Sequence, residues 1–504
     1  MSVDVSATSE LSAPAGSREE PGAHFDVVIV GAGLSGIGAG SHLRRYCPDR
    51  SFAILEARAA SGGTWDLFRY PGIRSDSDMF TLGYRFRPWR GEKALADGPS
   101  ILSYIRETAS ENGLDDHIHY EHRVRKASWS SSSARWRVEA ERPDGSRAVF
   151  TCSFLYANSG YYSYESGYTP EFPGLESFGG QLVHPQHWPE DLDYEGKEVV
   201  VIGSGATAIT LVPAMSQRAA KVTMLQRSPT YIASLPGTDP LARRLREHLP
   251  PRAVYTLVRW KNVLMALAFF QLSRKRPEVV KRLLRRGLEA ALPPGYDIDT
   301  HFKPRYQPWD QRMCFVPDGD LFAAIKEGRV EVVTDRIATF SAGGIRLESG
   351  RELRADIVVS ATGLNLLMVG GMELDIDGER VDFAKTVGYR GIMFTGVPNF
   401  AATMGYTNAS WTLKADLAAT YVCRLLNHMR RHGYAVACAE PPDPSLPTLP
   451  WLDLSSGYVM RSLESLPRQG QHAPWRLYHN YLLDLVMLRY GPVRDRALRF
   501  EKAP

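Results

Sequence analysis

Short, unbroken runs of β-branched residues mark several buried strands along this chain. Residues 27–30 read VVIV, residues 199–202 read VVVI and residues 357–359 read IVV. Runs without polar alternation are typical of strands that are covered on both faces of a parallel sheet. Glycines follow the first two runs at once, and small residues then begin a helical stretch. The pattern predicts an α/β fold with two Rossmann-like dinucleotide-binding domains.

A different pattern fills residues 236–300. Apolar residues recur there at helical spacing among many arginines, which predicts two or three amphipathic helices. The longest apolar run, VLMALAFF at 263–270, is far shorter than the ~20 residues of a membrane-spanning helix, so no integral membrane segment is expected. The basic face suits helices that cover a substrate cleft, and also helices that lie peripherally on an anionic membrane. Composition favours helices that cover a substrate cleft over helices that lie on a membrane.

The patterns divide the chain into segments. The first residues are polar and small without an apolar core, as in a disordered tail rather than a signal peptide. The predicted segments are a tail (1–24), the first part of an FAD-binding domain (25–165), a linker (166–196), an NADP-binding domain (197–334) with a helical subdomain (about 236–300), and the second part of the FAD-binding domain with the C-terminal segment (335–504).

The first glycine motif, GAGLSG, has the GxGxxG spacing of a dinucleotide-binding turn. Gly31 permits the tight turn, Gly33 lets a pyrophosphate approach the backbone, and Gly36 lets the helix pack closely on the strand. Glu56 ends a second strand about 20 residues further on, where an acid accepts hydrogen bonds from a ribose. Such a unit near the N-terminus of a chain with two motifs predicts FAD. The turn at Gly62 and Gly63, followed by Trp65, would face the flavin.

The second motif, GSGATA, predicts a site for NADPH. Gly203, Gly205 and Ala208 give the GxGxxA variant of the spacing. The strand that follows ends in Gln226, Arg227 and Ser228, where an NAD-binding domain would carry an acid. An arginine there pairs with a 2′-phosphate, whereas an acid would repel it, so NADPH is expected rather than NADH.

Composition narrows the class of protein. The chain has 504 residues, 44% of them hydrophobic and 23% charged, and its net charge of +4 gives no reason to expect nucleic-acid binding. The five cysteines form no CxxC pair and no zinc spacing, which predicts a reduced, cytoplasmic protein without a disulfide framework or metal site. FAD and NADPH without a redox CxxC leave oxygen as the expected electron acceptor.

The stretch FGGQLVHPQHWP, just before the second glycine motif, makes the prediction specific. Phe178, Gly180, His184, Trp188 and Pro189 fit the FxGxxxHxxxWP fingerprint of the type I Baeyer–Villiger monooxygenases. The stretches GGTWDLFRYPGIRSDSDM, VIGSGATA, TMLQRSPTYI, PWDQR and GYTNASWTLKAD also resemble one branch of that family, the ethionamide-activating monooxygenases of mycobacteria and their relatives. The resemblance spans about residues 25–500. It implies that the fingerprint lies between the two nucleotide domains, with His184 as a hinge and hydrogen-bonding residue rather than a proton carrier.

The resemblance also implies contacts for both cofactors. Ser35 would contact the FAD phosphate and Val124 the adenine side of FAD. Other contacts with FAD, or between flavin and nicotinamide, are implied for Thr64, Trp65, Asp66, Leu67, Arg74, Ser75 and Asp76. The NADP pyrophosphate loop is implied for Gly203, Ser204, Gly205, Ala206, Thr207, Ala208 and Ile209, and the 2′-phosphate site for Gln226 and Arg227.

The reaction implied is the conversion of ketones into esters or lactones with NADPH and O2, through a C4a-peroxide of FAD. Arg312 resembles the active-site arginine, and Asp76 would hold it in place. A permanent guanidinium charge suits this chemistry because the peroxide and the adduct are both anions. Sulfur oxidation of thioethers and thioamides is also implied. Two alternatives stay open, a flavin monooxygenase that hydroxylates nitrogen or sulfur without ketone activity, and a non-catalytic nucleotide-binding sensor. The natural substrate and the oligomeric state stay undetermined.

Overall fold

A computed structural model describes residues 22–445 and 447–503, in which two separate sheets organise the chain. The predicted tail lies outside the described residues up to position 21, and the first strand begins at His24. The mixture of parallel strands and helices confirms the predicted α/β fold.

The strands are numbered in chain order. In the first half of the chain they are β1 (His24–Val30), β2 (Phe52–Leu55), β3 (Ile118–His119), β4 (Arg123–Ser130), β5 (Arg135–Glu141), β6 (Arg147–Ala157), β7 (Tyr162–Gly167), β8 (Gln181–Val183), β9 (Glu198–Ile202), β10 (Lys221–Gln226) and β11 (Ile232–Leu235). In the second half they are β12 (Cys314–Pro317), β13 (Val330–Thr334), β14 (Ile337–Ser341), β15 (Gly344–Leu347), β16 (Glu352–Arg354), β17 (Ile357–Ser360), β18 (Leu364–Leu366), β19 (Glu373–Ile376), β20 (Glu379–Arg380), β21 (Gly388–Tyr389), β22 (Met393–Phe394), β23 (Phe400–Ala402), β24 (Tyr434–Ala439), β25 (Leu449–Pro450), β26 (Arg468–Gln469) and β27 (Leu498–Lys502).

The α-helices are numbered in the same way. They are α1 (Leu34–Tyr46), α2 (Thr64–Leu67), α3 (Met79–Leu82), α4 (Gly98–Glu111), α5 (Ala206–Met215), α6 (Pro240–Arg246), α7 (Pro251–Lys275), α8 (Pro277–Ala291), α9 (Ile298–His301), α10 (Asp320–Lys326), α11 (Trp411–His432), α12 (Gly457–Met460) and α13 (Tyr481–Asp484). Short turns of 3₁₀ or π geometry lie between them, and a π-helical segment, 485–490, continues α13.

The first sheet holds the first glycine motif at the end of a central strand. β1 pairs in parallel with β2 on one side and with β6 on the other, and β23 pairs with β6. The apolar run of β1 is fully buried because hydrophobic clusters cover both faces of the sheet. The strand pairing therefore brings residues after β1, β6 and β23 to one edge of the sheet.

The second sheet is entirely parallel, in the order β13-β10-β9-β17-β8. Its membership corrects two predicted boundaries. β17 pairs with β9, so the second domain extends to Ser360 instead of ending at residue 334. β8 lies inside the predicted linker 166–196 but forms the edge of the same sheet. β17 is far from β9 in the chain, and its own residues do not indicate which of the two sheets it joins.

Two chain crossings connect the sheets as one antiparallel ribbon. β7 leads from the first sheet towards the second, β18 leads back, and the two strands pair with each other. The connection between the domains is thus a hydrogen-bonded pair of strands rather than two independent linkers.

The helical insertion consists of α6, α7, α8 and α9. α7 is longer than its apolar run suggested: its 25 residues are long and apolar enough, by length and composition only, to cross a membrane. Core helices of globular proteins can have the same length and apolar composition. In this structure α7 packs against α3, α6 and α8.

A buried arginine fastens α7 to the first domain. The Nη1 atom of Arg259 donates hydrogen bonds to the carbonyl oxygens of Phe80, at 2.6 Å, and Gly83, at 2.8 Å. These carbonyls belong to α3 and the residue after it, so the guanidinium satisfies the end of that helix. Arg259 is itself buried, which makes the contact strong and costly to lose.

We expect Arg259→Ala to lower the free energy of unfolding by about 3 kcal/mol, because buried carbonyls lose their donors and a cavity opens. Urea denaturation followed by circular dichroism measures the change. Arg274→Ala on the same helix is the matched control. It removes only an exposed ion pair with Asp310 and should cost at most about 1 kcal/mol. Equal losses in the two variants would contradict the role given to Arg259.

Candidate functional site

The first glycine motif forms a tight backbone cradle at the carboxyl end of β1. Gly31 has φ +100°, and a Cβ there would lie 2.7 Å from the carbonyl oxygen of Asn158. A Cβ on Gly36 would lie 1.8 Å from the carbonyl oxygen of Gly31, so the start of α1 packs directly on the turn. A Cβ on Gly33 would lie 3.4 Å from Cα of Gly63, which places the second glycine turn opposite the first. Side chains are excluded for steric reasons at Gly31 and Gly36, whereas Gly33 has room for a Cβ in the absence of a ligand.

A cavity of about 270 Å³ opens beside the cradle. Asn158, directly after β6, lines it and has a buried Oδ1 atom without a hydrogen-bond partner among the described residues. Stacked aromatic rings, Tyr161 on Trp411 with centroids 5.0 Å apart, form another part of the lining. Two glycine turns, an aromatic wall and an unpaired acceptor fit the ring system of FAD, which is planar and carries an N–H donor. Predicted residues in the lining are Gly33, Ser35, Thr64, Trp65, Arg74, Ser75, Asp76, Ala206 and Ile209.

Several predicted FAD contacts have well-defined partners. The Ser35 hydroxyl accepts a hydrogen bond from Nε1 of Trp411 at 2.7 Å, and the Thr64 hydroxyl lies 2.5 Å from the Tyr162 hydroxyl. The Glu56 carboxylate accepts hydrogen bonds from the backbone N–H groups of Ala32, inside the glycine loop, and Arg58. Burial raises the pKa of Glu56, while these two N–H groups oppose the shift. Glu56 thus lies beside the loop, although it does not line the cavity.

Three predicted contacts have side chains engaged elsewhere. The Asp66 carboxylate forms ion pairs with Arg58 at 2.6 Å and Arg106 at 2.8 Å. Leu67 packs against the hydrophobic core of the second domain. Val124 is buried in the core under the first sheet. These side chains have partners within the protein, and their contacts with FAD stay predictions.

The second glycine motif repeats the geometry of the first. Gly203 has φ +132°, and a Cβ there would lie 2.4 Å from the carbonyl oxygen of Ala361. Gly205 precedes α5 and has open space around it, whereas Ala208 is completely buried against the sheet. The Ser204 hydroxyl lies 2.8 Å from that of Thr230, and Thr207 is half-buried in the first turn of α5. The loop therefore leaves space for a phosphate at the start of α5.

Gln226, Arg227 and Ser228 were predicted as one site at the end of β10, but their side chains lie in different environments. Gln226 is 2% exposed, and its Nε2 donates to the carbonyl oxygen of His301 and the hydroxyl of Thr334, both at 2.8 Å. His301 of α9 and Thr334 of β13 thus hold the Gln226 side chain inside the domain, and the implied part of Gln226 in a 2′-phosphate site stays a prediction. Arg227 and Ser228 are exposed at the surface after the strand.

The fingerprint residues lie along the edge of the second sheet. Phe178 packs on Phe340, and a Cβ on Gly180 would lie 2.4 Å from the carbonyl oxygen of Asp356. The His184 ring packs on Gly167 at the end of β7, and its Nδ1 accepts a hydrogen bond from the backbone N–H of Gln186. Burial lowers the pKa of His184. Trp188 packs against the core of the second domain. These contacts place the fingerprint at the ribbon between the domains, and none of its residues lines the cavity beside the cradle.

Arg312 and Asp76 come together from the two domains. The Nη2 atom of Arg312 lies 3.0 Å from Oδ2 of Asp76, and the Arg312 side chain remains 39% exposed. The Asp76 carboxylate raises the pKa of Arg312 above its usual value, so the guanidinium keeps its charge. The neighbouring Cys314 is buried, and burial raises the pKa of its thiol to about 12. That cysteine is a packed thiol rather than a nucleophile.

A second, larger cavity of about 510 Å³ begins at this ion pair. Its lining is mostly apolar and comes from α7, from the loop around Trp309 and from the stretch 407–410. The residues that line both cavities are Asp76, Ser77, Arg312, Phe315 and Ala409. The Arg312–Asp76 pair thus stands where the cofactor-sized cavity meets the apolar one.

Sequence reasoning missed several residues of this region. Asp320 holds Arg74 through an ion pair at 2.6 Å and so ties α10 to the first domain. Ser75, by contrast, was predicted; it is buried and accepts a hydrogen bond from the backbone N–H of Ser77. The position of Asn158 directly after a buried strand was an available signal. The pairing of Arg74 with Asp320, by contrast, had no sequence signal.

Comparisons with known proteins agree with this geometry. A family model described as flavin-binding monooxygenase-like matches residues 95–366, and one described as an NAD(P)-binding Rossmann-like domain matches residues 29–89. The FAD-containing monooxygenase EthA of Mycobacterium tuberculosis is 55% identical over 95% of this chain and 98% of its own length. The probable FAD-binding monooxygenase AlmA of Acinetobacter baylyi is 48% identical over 95% of this chain and 96% of its own length.

Solved structures share the fold at lower identity. A steroid monooxygenase bound to NADP has a TM-score of 0.75 at 22% identity, covering 95% of this chain and 99% of its own. An open cyclohexanone monooxygenase has a TM-score of 0.72 at 17% identity, covering 95% of this chain and 100% of its own. The resemblance read from the fingerprint is confirmed.

Substitutions in the two glycine loops should affect the binding of different cofactors. We expect Gly33→Val to abolish FAD binding, because its side chain would fill the cradle opposite Gly63. Gly205→Val should retain FAD and weaken NADP⁺ binding by about tenfold or more, because it crowds the start of α5. FAD per protein is measured by absorbance and NADP⁺ affinity by calorimetry. FAD loss in the Gly205 variant, or its retention in the Gly33 variant, would reverse the assignment of the loops.

Proposed function

The chain belongs to the family of flavin-binding monooxygenases, and we propose that it converts ketones into esters or lactones with NADPH and O2. The balanced reaction is ketone + O2 + NADPH + H⁺ giving ester + NADP⁺ + H2O. One observation carries the proposal: the Arg312–Asp76 ion pair stands at the common wall of the cradle beside Gly33 and the apolar cavity. A permanent cation is held where an organic substrate and the cofactor would meet.

FAD and NADP are the cofactors of this enzyme. FAD, when bound, accepts two electrons from the nicotinamide and activates O2. The residues that would hold it are the turn at Gly31–Gly36, the turn at Gly62–Thr64, and Asn158 with its unpaired Oδ1. The aromatic wall of Tyr161 and Trp411 would exclude water from one side of the ring.

Arg312 would stabilise negative charge that develops on the substrate oxygen when the carbonyl is attacked. A guanidinium suits this task because it cannot lose its proton at neutral pH. Asp76 orients it through a hydrogen bond at 3.2 Å and reduces the net charge of the site. The apolar lining of the larger cavity supports an organic, predominantly hydrocarbon substrate. The same site would admit thioethers and thioamides, whose sulfur takes up the oxygen instead.

Two alternatives give different results. A monooxygenase that hydroxylates only nitrogen or sulfur would turn over amines or sulfides and leave every ketone unchanged. A nucleotide sensor would bind both cofactors without oxygen transfer. The ion pair between the cavities favours the ketone reaction over both, since neither alternative needs a permanent cation at that position.

NADPH rather than NADH is proposed as the reductant. Arg227 is exposed after β10, and the end of that strand carries no acidic side chain that would repel a 2′-phosphate. Arginine and phosphate form charge-assisted hydrogen bonds that a ribose hydroxyl cannot match.

We expect Arg312→Ala to lower ester formation by about a thousandfold, in the range found when a charge-stabilising donor is removed from an active site. FAD content and reduction of the flavin by NADPH should persist. Product is measured by gas chromatography and reduction by stopped-flow absorbance. Arg305→Ala, an exposed arginine of the preceding loop, is the control and should be unchanged. Ester formation by the Arg312 variant at the wild-type rate would refute the mechanism.

We expect Arg227→Ala to raise KM for NADPH by about ten- to a hundredfold and to leave KM for NADH nearly unchanged, since only NADPH carries the 2′-phosphate. Steady-state oxidation of both nucleotides measures the effect. Arg218→Ala, at an exposed ion pair with Glu195 in the same domain, serves as the control. A parallel rise for both nucleotides would show that Arg227 does not read the phosphate.

We place the enzyme in the cytoplasm and propose peripheral membrane contact through an apolar surface formed by Leu257, Leu264 and Met265 of α7 with Val486 and Tyr490. Met265 is 61% exposed and also lines the apolar cavity, so this surface borders the cavity entrance. Trp260 of α7 contacts Tyr481 and joins the two halves of the surface.

Leu264→Glu should reduce co-sedimentation with anionic vesicles at least severalfold, because the charge opposes insertion of the apolar surface. Leu283→Glu, at an exposed leucine of α8, is the matched control. Equal binding of wild type and both variants would exclude this surface as the contact.

A further inference from the structure

Two ion pairs of opposite polarity join the same two segments of the chain. Residues 74–76 contain a cation, Arg74, followed by an anion, Asp76, and residues 312–320 contain a cation, Arg312, and end in an anion, Asp320. The Nη1 atom of Arg74 lies 2.6 Å from Oδ2 of Asp320, and Nη2 lies 3.3 Å from Oδ1. Asp76 pairs with Arg312 at 3.0 Å. The proposed reaction uses only the second of these pairs.

The Arg74 guanidinium needs an anionic partner because it is mostly buried. Its side chain is 13% exposed, and the residue lines the cavity beside the cradle, as Asp76 does. Removing one partner of a buried ion pair is costly, since the other charge is left uncompensated. A further contact, from Nη2 of Arg74 to the carbonyl oxygen of Ile209, is 3.5 Å long and supplies no negative charge. The charge of Arg74 is therefore compensated by Asp320.

Arg74 and Asp76 are also close to each other. Ser75 alone separates them in the chain, and its hydroxyl closes a turn by accepting a hydrogen bond from the backbone N–H of Ser77. Burial raises the pKa of Tyr70 to about 12, and the charges of Asp76 and Arg74 act on that one hydroxyl in opposite directions. Asp76 is thus the acidic residue closest to Arg74 in the chain, and both side chains lie near the same group.

The four charges alternate in sign, from Asp320 through Arg74 and Asp76 to Arg312, and two carboxylates balance two guanidinium groups. Without the Asp320 charge, one guanidinium would have no anion of its own. Arg74 would then compete with Arg312 for the Asp76 carboxylate, because a mostly buried cation gains most from the nearest anion.

On the basis of the proposed function, we propose that Asp320 is a positioning residue for oxygen transfer: by holding Arg74, it keeps the Asp76 carboxylate for Arg312. Asp320 takes no part in bond making and acts through Arg74. This role differs from a tie between the domains. A tie is lost whichever partner is removed, whereas the competition for Asp76 arises only when Asp320 is removed and Arg74 remains.

Asp320→Asn removes the charge and keeps an oxygen that can accept the backbone N–H of Leu321, which lies 2.8 Å from Oδ1 of Asp320. We expect kcat for ester formation from 2-decanone to fall about thirtyfold, because a small misplacement of an active-site group can cost about a hundredfold. KM for the ketone should change less than about threefold, since the apolar lining is untouched. Product formation at saturating NADPH measures both. Glu190→Gln, at an exposed ion pair with Arg69, is the matched control and should change neither.

A double variant separates competition from a tie. Arg74→Met combined with Asp320→Asn removes the competing guanidinium as well as the carboxylate. We expect it to form ester about tenfold faster than Asp320→Asn alone at saturating NADPH, because Asp76 then has Arg312 as its cation again. A tie would predict no recovery, since the double variant lacks the ion pair too. A double variant as slow as Asp320→Asn, or Asp320→Asn as fast as wild type, would overturn the proposal.

Crystal structures distinguish failure of this proposal from failure of the proposed function. In Asp320→Asn, the Arg74 guanidinium should lie within hydrogen-bond distance of the Asp76 carboxylate whether or not a ketone is turned over. If 2-decanone is not converted but this contact forms, the ketone reaction fails, and the inference that Asp320 keeps Arg74 from Asp76 stands. If the ketone is converted and Arg74 stays away from Asp76, this proposal fails alone. FAD content and the melting temperature show whether each variant is folded, and Asp320→Ser, which removes the same charge, replaces Asp320→Asn if that variant is not.

Discussion

The ion pair between Arg312 and Asp76 is the contact around which the functional region is assembled. The two residues are 236 positions apart in the chain, and each domain supplies one of them. Asp76 follows the turn that forms the cradle wall, whereas Arg312 precedes β12, which pairs with β11 of the second domain. The pair can exist only when both domains and the loop before β12 are in place. It therefore couples the position of the charged group to the position of the cofactor cradle.

Other contacts between the two domains keep that ion pair at a defined distance. Arg74 reaches Asp320 from the same loop that carries Asp76. Arg259 fastens the helical insertion on α3, which begins just after that loop. The only described strands that run between the sheets are β7 and β18, and they pair with each other. The paired ribbon and the arginine contacts together hold the two domains in the arrangement seen here.

The predictions from sequence succeeded where the reason was local. The tight turns at Gly31 and Gly203 and the close helix packing at Gly36 were predictable because each requires a residue without a Cβ. The contacts of these glycines with cofactors stay predictions. What the sequence did not show had non-local causes. β17 joins the second sheet although more than 150 residues separate it from β9 by chain position, and the Gln226 side chain is held inside the domain by His301 and Thr334. Neither fact depends on residues close in the chain.

By itself, the sequence determined that this is a two-motif flavoprotein of the monooxygenase class. The apolar strands, the glycine spacing and the fingerprint each depend on residues that are close in the chain. Their patterns can therefore be recognised in the sequence. The tertiary structure decided which side chains share a cavity: the meeting of Arg312 with Asp76, and the aromatic wall of Tyr161 and Trp411. These groups come from strand ends and loops that only the packing of two sheets brings together. Their chemistry depends on burial, which no single stretch of sequence specifies.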